Sequence, residues 1–155
     1  MASRRGEITM SVTELARFLD EERVLTCATL GPTGRPHLMP LWYVRDGPTL
    51  YAWTYGKSQK VRNLEREPRA TVQIEAGRDR YGELRGVMLE CDVAIERDPA
   101  RVADVGVRLM ARYAGAEPSA DARERVRAQA AKRVVLRFTP TRVVSWDHRK
   151  LGGSS

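Results

Sequence analysis

The chain has two cysteines, Cys27 and Cys91, far apart and each inside a strand-like stretch, so they form neither a thioredoxin-like pair nor a zinc knuckle. They read as small buried hydrophobes, and no structural disulfide is expected. Histidine is as scarce: His37 and His148 lack metal-ligand spacing with acids or cysteines, and no metal site is expected. No apolar run approaches the roughly 20 residues of a membrane-spanning helix, and the polar N-terminus lacks the apolar segment of a signal peptide. A soluble, cytoplasmic protein without a membrane partner is expected. A dinucleotide glycine motif, a Walker loop and a nucleophile elbow are all missing. Lysine is also rare, with four residues among the 27 Lys and Arg.

What is present amounts to one domain. With 155 residues, 42% hydrophobic and 30% charged, the chain can pack one core and not comfortably two. We expect a single domain over 1–155, with 1–10 and 149–155 as flexible tails. A net charge of +7 favours acidic partners, whether nucleic acid, anionic lipid or a ligand with phosphates and carboxylates. The arginines alternate with acids, as in Arg123-Glu124-Arg125, and Asp104, Glu117 and Asp121 interrupt any basic stripe. Nucleic-acid binding is therefore not expected.

Ser11 with Glu14 makes a capping box, and Leu15, Phe18 and Leu19 continue an apolar stripe, which predicts a helix over 11–21. The period then changes to two. Strands are predicted over 24–29, 36–45 and 49–54, separated by turns at Gly31-Pro32-Thr33-Gly34 and Asp46-Gly47-Pro48. Pro40 interrupts the second of these and must lie at an edge or beside a bulge. A helix over 58–67 stops before Pro68, and its thin apolar edge, Val61 and Leu64, predicts that it crosses a sheet end. Strands over 70–76 and 86–96, helices over 99–113 and 119–131, and two strands flanking Pro140 complete the order. Antiparallel strands punctuated by helices indicate a mainly β, α+β architecture, a curled sheet or barrel with added helices.

Lys57 and Lys60 share one short window between an aromatic strand and a helix start. Compact ammonium groups, where the chain otherwise uses guanidinium, read as a phosphate grip; the same window also reads as a solvated helix face. With Ser58 as cap, the first-turn amides are free donors that a phosphate would satisfy. A lysine at the positive end of a helix dipole is unfavourable by a fraction of about 1 kcal/mol unless an anion is present. Thr54 and Ser58 add hydroxyls and Lys57 a charge, while Gly56 permits close backbone approach. Asn63 reads either as a surface amide or as a ligand contact, and Arg62 as solvated.

The succession of Gly34-Arg35-Pro36, Pro40-Leu41-Trp42-Tyr43, a strand ending at Thr54, Ser58 and Lys60, Asn63-Leu64, Pro68 and Val72-Gln73-Ile74-Glu75 resembles the pyridoxamine 5'-phosphate oxidase-like (FMN-binding split-barrel) superfamily. Within it the chain looks most like the actinobacterial branch that uses the deazaflavin coenzyme F420, and the ending Ser145 to Gly153 is similar to tails of that branch. The resemblance spans 11–153. It implies a six-stranded antiparallel split β-barrel and a homodimer with the cofactor groove at the subunit interface. Coenzyme F420 is the implied cofactor, with FMN as the alternative. The implied activity is hydride transfer to a planar conjugated small molecule; the other implied reading is a non-catalytic flavin-, deazaflavin- or haem-binding module. The ring would lie along Met39, Pro40, Leu41 and Trp42, which on their own read as a plain core strand. The phosphate would sit at Thr54, Lys57, Ser58 and Lys60, with Asn63 nearby, and the Trp146 to Lys150 tail over the partner's groove. Tyr55, Tyr81 and His148 are candidate proton donors with no favourite. Hydride transfer needs no protein nucleophile, so the missing elbow fits.

Overall fold

The computed structural model describes residues 3–152. In chain order the elements are α1 (Arg5–Ile8), α2 (Val12–Glu21), β1 (Leu25–Leu30), β2 (Pro36–Leu41), β3 (Tyr43–Asp46), β4 (Thr49–Tyr55), α3 (Gln59–Arg66), β5 (Arg69–Ala76), β6 (Arg85–Glu96), α4 (Pro99–Ala114), α5 (Ala120–Ala130) and β7 (Arg133–Asp147). Short 3-10 turns lie at Tyr81–Glu83 and His148–Leu151. The Ser11 capping box is formed: its Oγ accepts from the Glu14 N–H at 3.1 Å, and Glu14 accepts from the Ser11 N–H at 3.2 Å. Residues 3–10, expected as a tail, contain α1 and the buried Met10, whose N–H donates to Ser145 Oγ.

Seven antiparallel strands pair in the order β2-β1-β5-β6-β7-β4-β3. The outermost two, β2 and β3, are consecutive in the chain, separated only by Trp42, so the sheet has to curl until its edges approach. The result is the expected split barrel, with one of the six expected strands broken in two at Trp42. Pro40 lies in β2, which pairs on one side only, with β1, so its missing amide costs no ladder bond. At Pro140 the expectation of two strands is corrected. β7 runs unbroken for 15 residues, and a bulge opposite Glu90 and Cys91 absorbs the proline.

Alternation divides the core. Leu50 and Ala52 of β4, Val87, Leu89, Cys91 and Val93 of β6, and Val134, Leu136 and Phe138 of β7 fill the barrel. On the other face of β4 and β7, Tyr51, Trp53 and Val135 pack against Val102, Val105 and Leu109 of α4. Both cysteines are free and buried, and burial pushes each thiol up to about 12, which makes them unreactive.

α2 ends without a glycine, because Glu22 is extended. Its last carbonyls are capped instead by Arg112 of α4, which donates to the carbonyls of Leu19, Asp20 and Glu22 at 3.0, 3.2 and 2.7 Å and to that of Tyr43. The neighbouring Tyr113 bonds the Arg23 carbonyl, and its ring stacks on Trp42 with centroids 4.3 Å apart and planes 7° apart. The break between β2 and β3 is thus held from α4.

Candidate functional site

α3 lies across one end of the barrel, with Lys60, Val61, Asn63 and Leu64 all buried on its inner face. Val61 and Leu64 dictate this orientation, and the 3.6-residue period carries Lys60 and Asn63 inward with them. Lys60 is only 8% exposed, and its ammonium donates to Thr54 Oγ1 at 2.9 Å. Asn63 is fully buried, donating to Thr29 Oγ1 at 3.0 Å and accepting from Gln59 at 2.8 Å. Neither the solvated-face reading of Lys60 nor the surface-amide reading of Asn63 survives. Thr54 ends the inward row of Leu50 and Ala52, and Thr29 ends that of Leu25 and Cys27, so the barrel's apolar interior closes on a polar layer. Burial lowers the pKa of Lys60, a trend that Cys27 weakly opposes.

Outside this layer, Lys57 is exposed and Ser58 half-buried. Ser58 takes the N-cap position without capping, and its Oγ is shielded and has no hydrogen-bond partner among the described residues. The first intrahelical bond of α3 runs from the Arg62 N–H to the Ser58 carbonyl, which leaves the preceding amides of the first turn outside the ladder. The Gly56 N–H donates to the Lys132 carbonyl at 3.0 Å and fastens this turn to the start of β7. Lys57, Arg97, Lys132 and Arg133 then line a groove of about 610 Å³ with Tyr55 and Gly56, and no acid among the described residues lines it.

A second, apolar cavity of about 670 Å³ opens between β4, α4 and α5, with Pro40, Leu41 and Trp42 on one side and Trp53, Leu109 and Met110 on the other. Trp53 is fixed by a 2.9 Å bond from its indole N–H to the Val102 carbonyl. A Cβ at position 106 would lie 2.6 Å from the Trp53 ring, which explains a glycine in the middle of α4. Arg133 lines both spaces. Its guanidinium lies 4.8 Å from the Trp53 ring centroid and 4.1 Å from that of Tyr55, and its Nε is buried with no hydrogen-bond partner among the described residues. While many arginines of this chain pair with acids, Lys57, Arg125, Lys132 and Arg133 have no acidic partner among the described residues.

The structure therefore distributes the expected site residues over three places. Pro40, Leu41 and Trp42 line the cavity and Lys57 the groove, while Thr54, Lys60 and Asn63 form the buried layer beneath. Met39 is exposed on the edge strand β2. Of the candidate proton donors only Tyr55 borders the groove; His148 lies beyond the opposite end of β7, edge-on to Tyr81 at 4.9 Å. The tail turns back on its own chain through Lys150, which donates to the Thr9 carbonyl and Glu14, both at 2.8 Å. Sequence reasoning missed Trp53, Lys132 and Arg133. The scarcity of lysine that singles out Lys57 applies equally to Lys132, and a glycine inside α4 signals a close neighbour.

The model of the pyridoxamine 5'-phosphate oxidase family matches residues 11–147. The chain belongs to this family. Among solved structures it is similar to the conserved hypothetical protein Rv2991 from Mycobacterium tuberculosis, with 41% identity over 99% of this chain and 95% of that one and a TM-score of 0.91. A protein described as an F420 reductase is 27% identical, over 82% of this chain and 93% of its own, with a TM-score of 0.63. HutZ, the heme storage protein from Vibrio cholerae, shares the fold at 17% identity, 88% and 96% coverage and a TM-score of 0.67. A search of curated proteins returns no match. Among the described residues no helix is long and apolar enough to cross a membrane, and no cluster of His, Cys, Asp and Glu could hold a metal ion.

Proposed function

We propose that this chain is an oxidoreductase that binds coenzyme F420 and passes a hydride from the reduced deazaflavin to a planar conjugated small molecule. Bound here, the coenzyme supplies the hydride; the protein binds, orients and excludes water. The observation behind the proposal is the acid-free row of Lys57, Lys132 and Arg133 running from the start of α3 into an aromatic cavity. A ligand with a planar ring at one end and anionic groups along the rest matches an aromatic cavity continued by a row of cations. The unpartnered Ser58 Oγ and the open first-turn amides of α3 fit a phosphate, with Lys57 at its outer side. Lys60, held on Thr54, adds its charge from beneath, and Asn63 braces the turn through Gln59. Pro40, Leu41 and Trp42 wall the ring. The 27% identity to a protein described as an F420 reductase supports the choice of coenzyme.

We also place the work of this enzyme in the cytoplasm and in a homodimer. On one face of the sheet edge, β1 and β2 expose Leu30 and Leu38, an apolar patch that a second copy would cover, while Met39, exposed on the opposite face of β2, would border the shared groove. Sedimentation equilibrium should give twice the 17.5 kDa chain mass. A monomer at micromolar concentration would remove the shared groove.

The cofactor is tested by fluorescence titration at physiological salt, with F420 and FMN in parallel. Micromolar or tighter binding of F420 in preference to FMN is expected. Preference for FMN would move the protein to flavin chemistry, and binding of neither would leave the row of cations without this ligand.

A further inference from the structure

The cavity between β4, α4 and α5 holds a feature that the ring of a cofactor does not explain. Its walls are apolar apart from the Tyr113 hydroxyl, yet Arg125, Gln129 and Arg133 bring two cations and an amide to it, and among the described residues no carboxylate lines it. Arg133 is the best prepared of these. The aromatic faces of Trp53 and Tyr55 hold its guanidinium, its Nε is buried and unpartnered, and no acid neutralises it. A guanidinium clamped in this way has lost little of its capacity to donate, and the planar fork matches a carboxylate in two parallel bonds. Arg125, exposed on α5 and also without an acidic partner, adds a second positive charge at the rim. The opposite wall carries the Trp42 ring, stacked on Tyr113. A volume of about 670 Å³ lies within the roughly 300–1,000 Å³ of small-molecule sites.

We propose that the α4 and α5 side of this cavity takes the substrate, and that the substrate is an organic acid with a planar apolar body, whose rings lie against Trp53, inward of the cofactor ring walled by Pro40, Leu41 and Trp42, and whose carboxylate is gripped by Arg133 with Arg125 beside it. As a substrate assignment this rests on the oxidoreductase function proposed above; as a binding site it stands without it.

Calorimetric titration of the full-length protein with 2-naphthoate and, separately, with its neutral isostere 2-naphthamide tests the site without any cofactor. The acid should bind about tenfold more tightly than the amide, the effect of about one charge-assisted bond. Arg133→Gln should abolish that preference and leave amide binding unchanged, and Arg125→Gln, on an exposed helix face, should reduce it about threefold. Should Arg133→Gln fail to fold, Arg133→Lys keeps the charge and the stem on the two rings, and the preference should still fall several-fold because the fork is gone. Equal binding of acid and amide by the unmodified protein, or a preference that survives the Arg133 variants, overturns the proposal.

The same titrations are repeated with saturating F420. Retained acid binding assigns the cavity to substrate. Displacement by F420 makes it the coenzyme's own pocket and overturns the assignment. Failure of F420 to bind at all would sink the oxidoreductase function while leaving the naphthoate result intact.

Discussion

Replacing Arg112 with methionine should lower the unfolding free energy by about 3 kcal/mol, read from urea denaturation, because one side chain satisfies four backbone carbonyls. Three of these lie at the C-terminal end of α2, where no glycine or αL residue closes the helix and a cation is electrostatically favoured. The fourth is that of Tyr43, whose buried ring lies under the guanidinium at 4.5 Å, with its hydroxyl also bonded to the Leu19 carbonyl at 2.6 Å. Methionine replaces the stem and none of the donors. Lysine should recover only a minority of the loss, since a single ammonium cannot fan across four acceptors. The consequence reaches the cavity, because Arg112 also donates to the Tyr113 hydroxyl at 3.1 Å and Tyr113 supports Trp42. A change in the near-ultraviolet circular dichroism of the folded variant should accompany the loss. An Arg112→Met protein as stable as the parent would show that α2 does not depend on this cap.

Removing both ammonium groups, in Lys57→Ala with Lys60→Met, should weaken F420 binding by about 3 kcal/mol, roughly 100-fold, if each makes a charge-assisted contact. The single changes separate the two roles. Lys57 is exposed and unpaired, so its loss should shift the stability of the ligand-free protein by no more than about 0.5 kcal/mol. Lys60 is buried with one hydrogen-bond acceptor for three donors, so methionine there should stabilise the ligand-free protein by about 1 kcal/mol while it harms binding. The pH dependence has a definite sign. Burial lowers the folded pKa of Lys60 below its unfolded value of 10.5, so between those two values the unfolded chain holds the extra proton. The parent should therefore gain stability relative to Lys60→Met as pH rises through that window and show no such gain below it. Full F420 affinity in the double variant would remove the phosphate site from α3.

Local patterns were enough for the elements whose stabilisation is local. The period of two in β6 marks Val87, Leu89, Cys91 and Val93 as core, and Ser11 with Glu14 marks the start of α2. The inward turn of Lys60 and Asn63 was also legible, since Val61 and Leu64 fix the buried face and the helical period brings the other two with it. Lysine and asparagine as residue types also suit a solvated surface or a ligand contact, and that left their inward turn open in the sequence. The continuity of β7 through Pro140 was decided by the bulge against β6, and the break at Trp42 by the need for one strand to serve both edges of a curled sheet. The juxtaposition of Lys57 with Lys132, and of Trp53 and Tyr55 with Arg133, comes from the pairing of β4 with β7, about 80 residues apart along the chain. The sequence by itself determined most of the elements and the apolar faces they bury, and it marked the turn before α3 as a candidate anion site. Only the tertiary structure decided which cations share a groove, because hydrogen-bonded pairing between distant strands sets neighbours that no local period encodes.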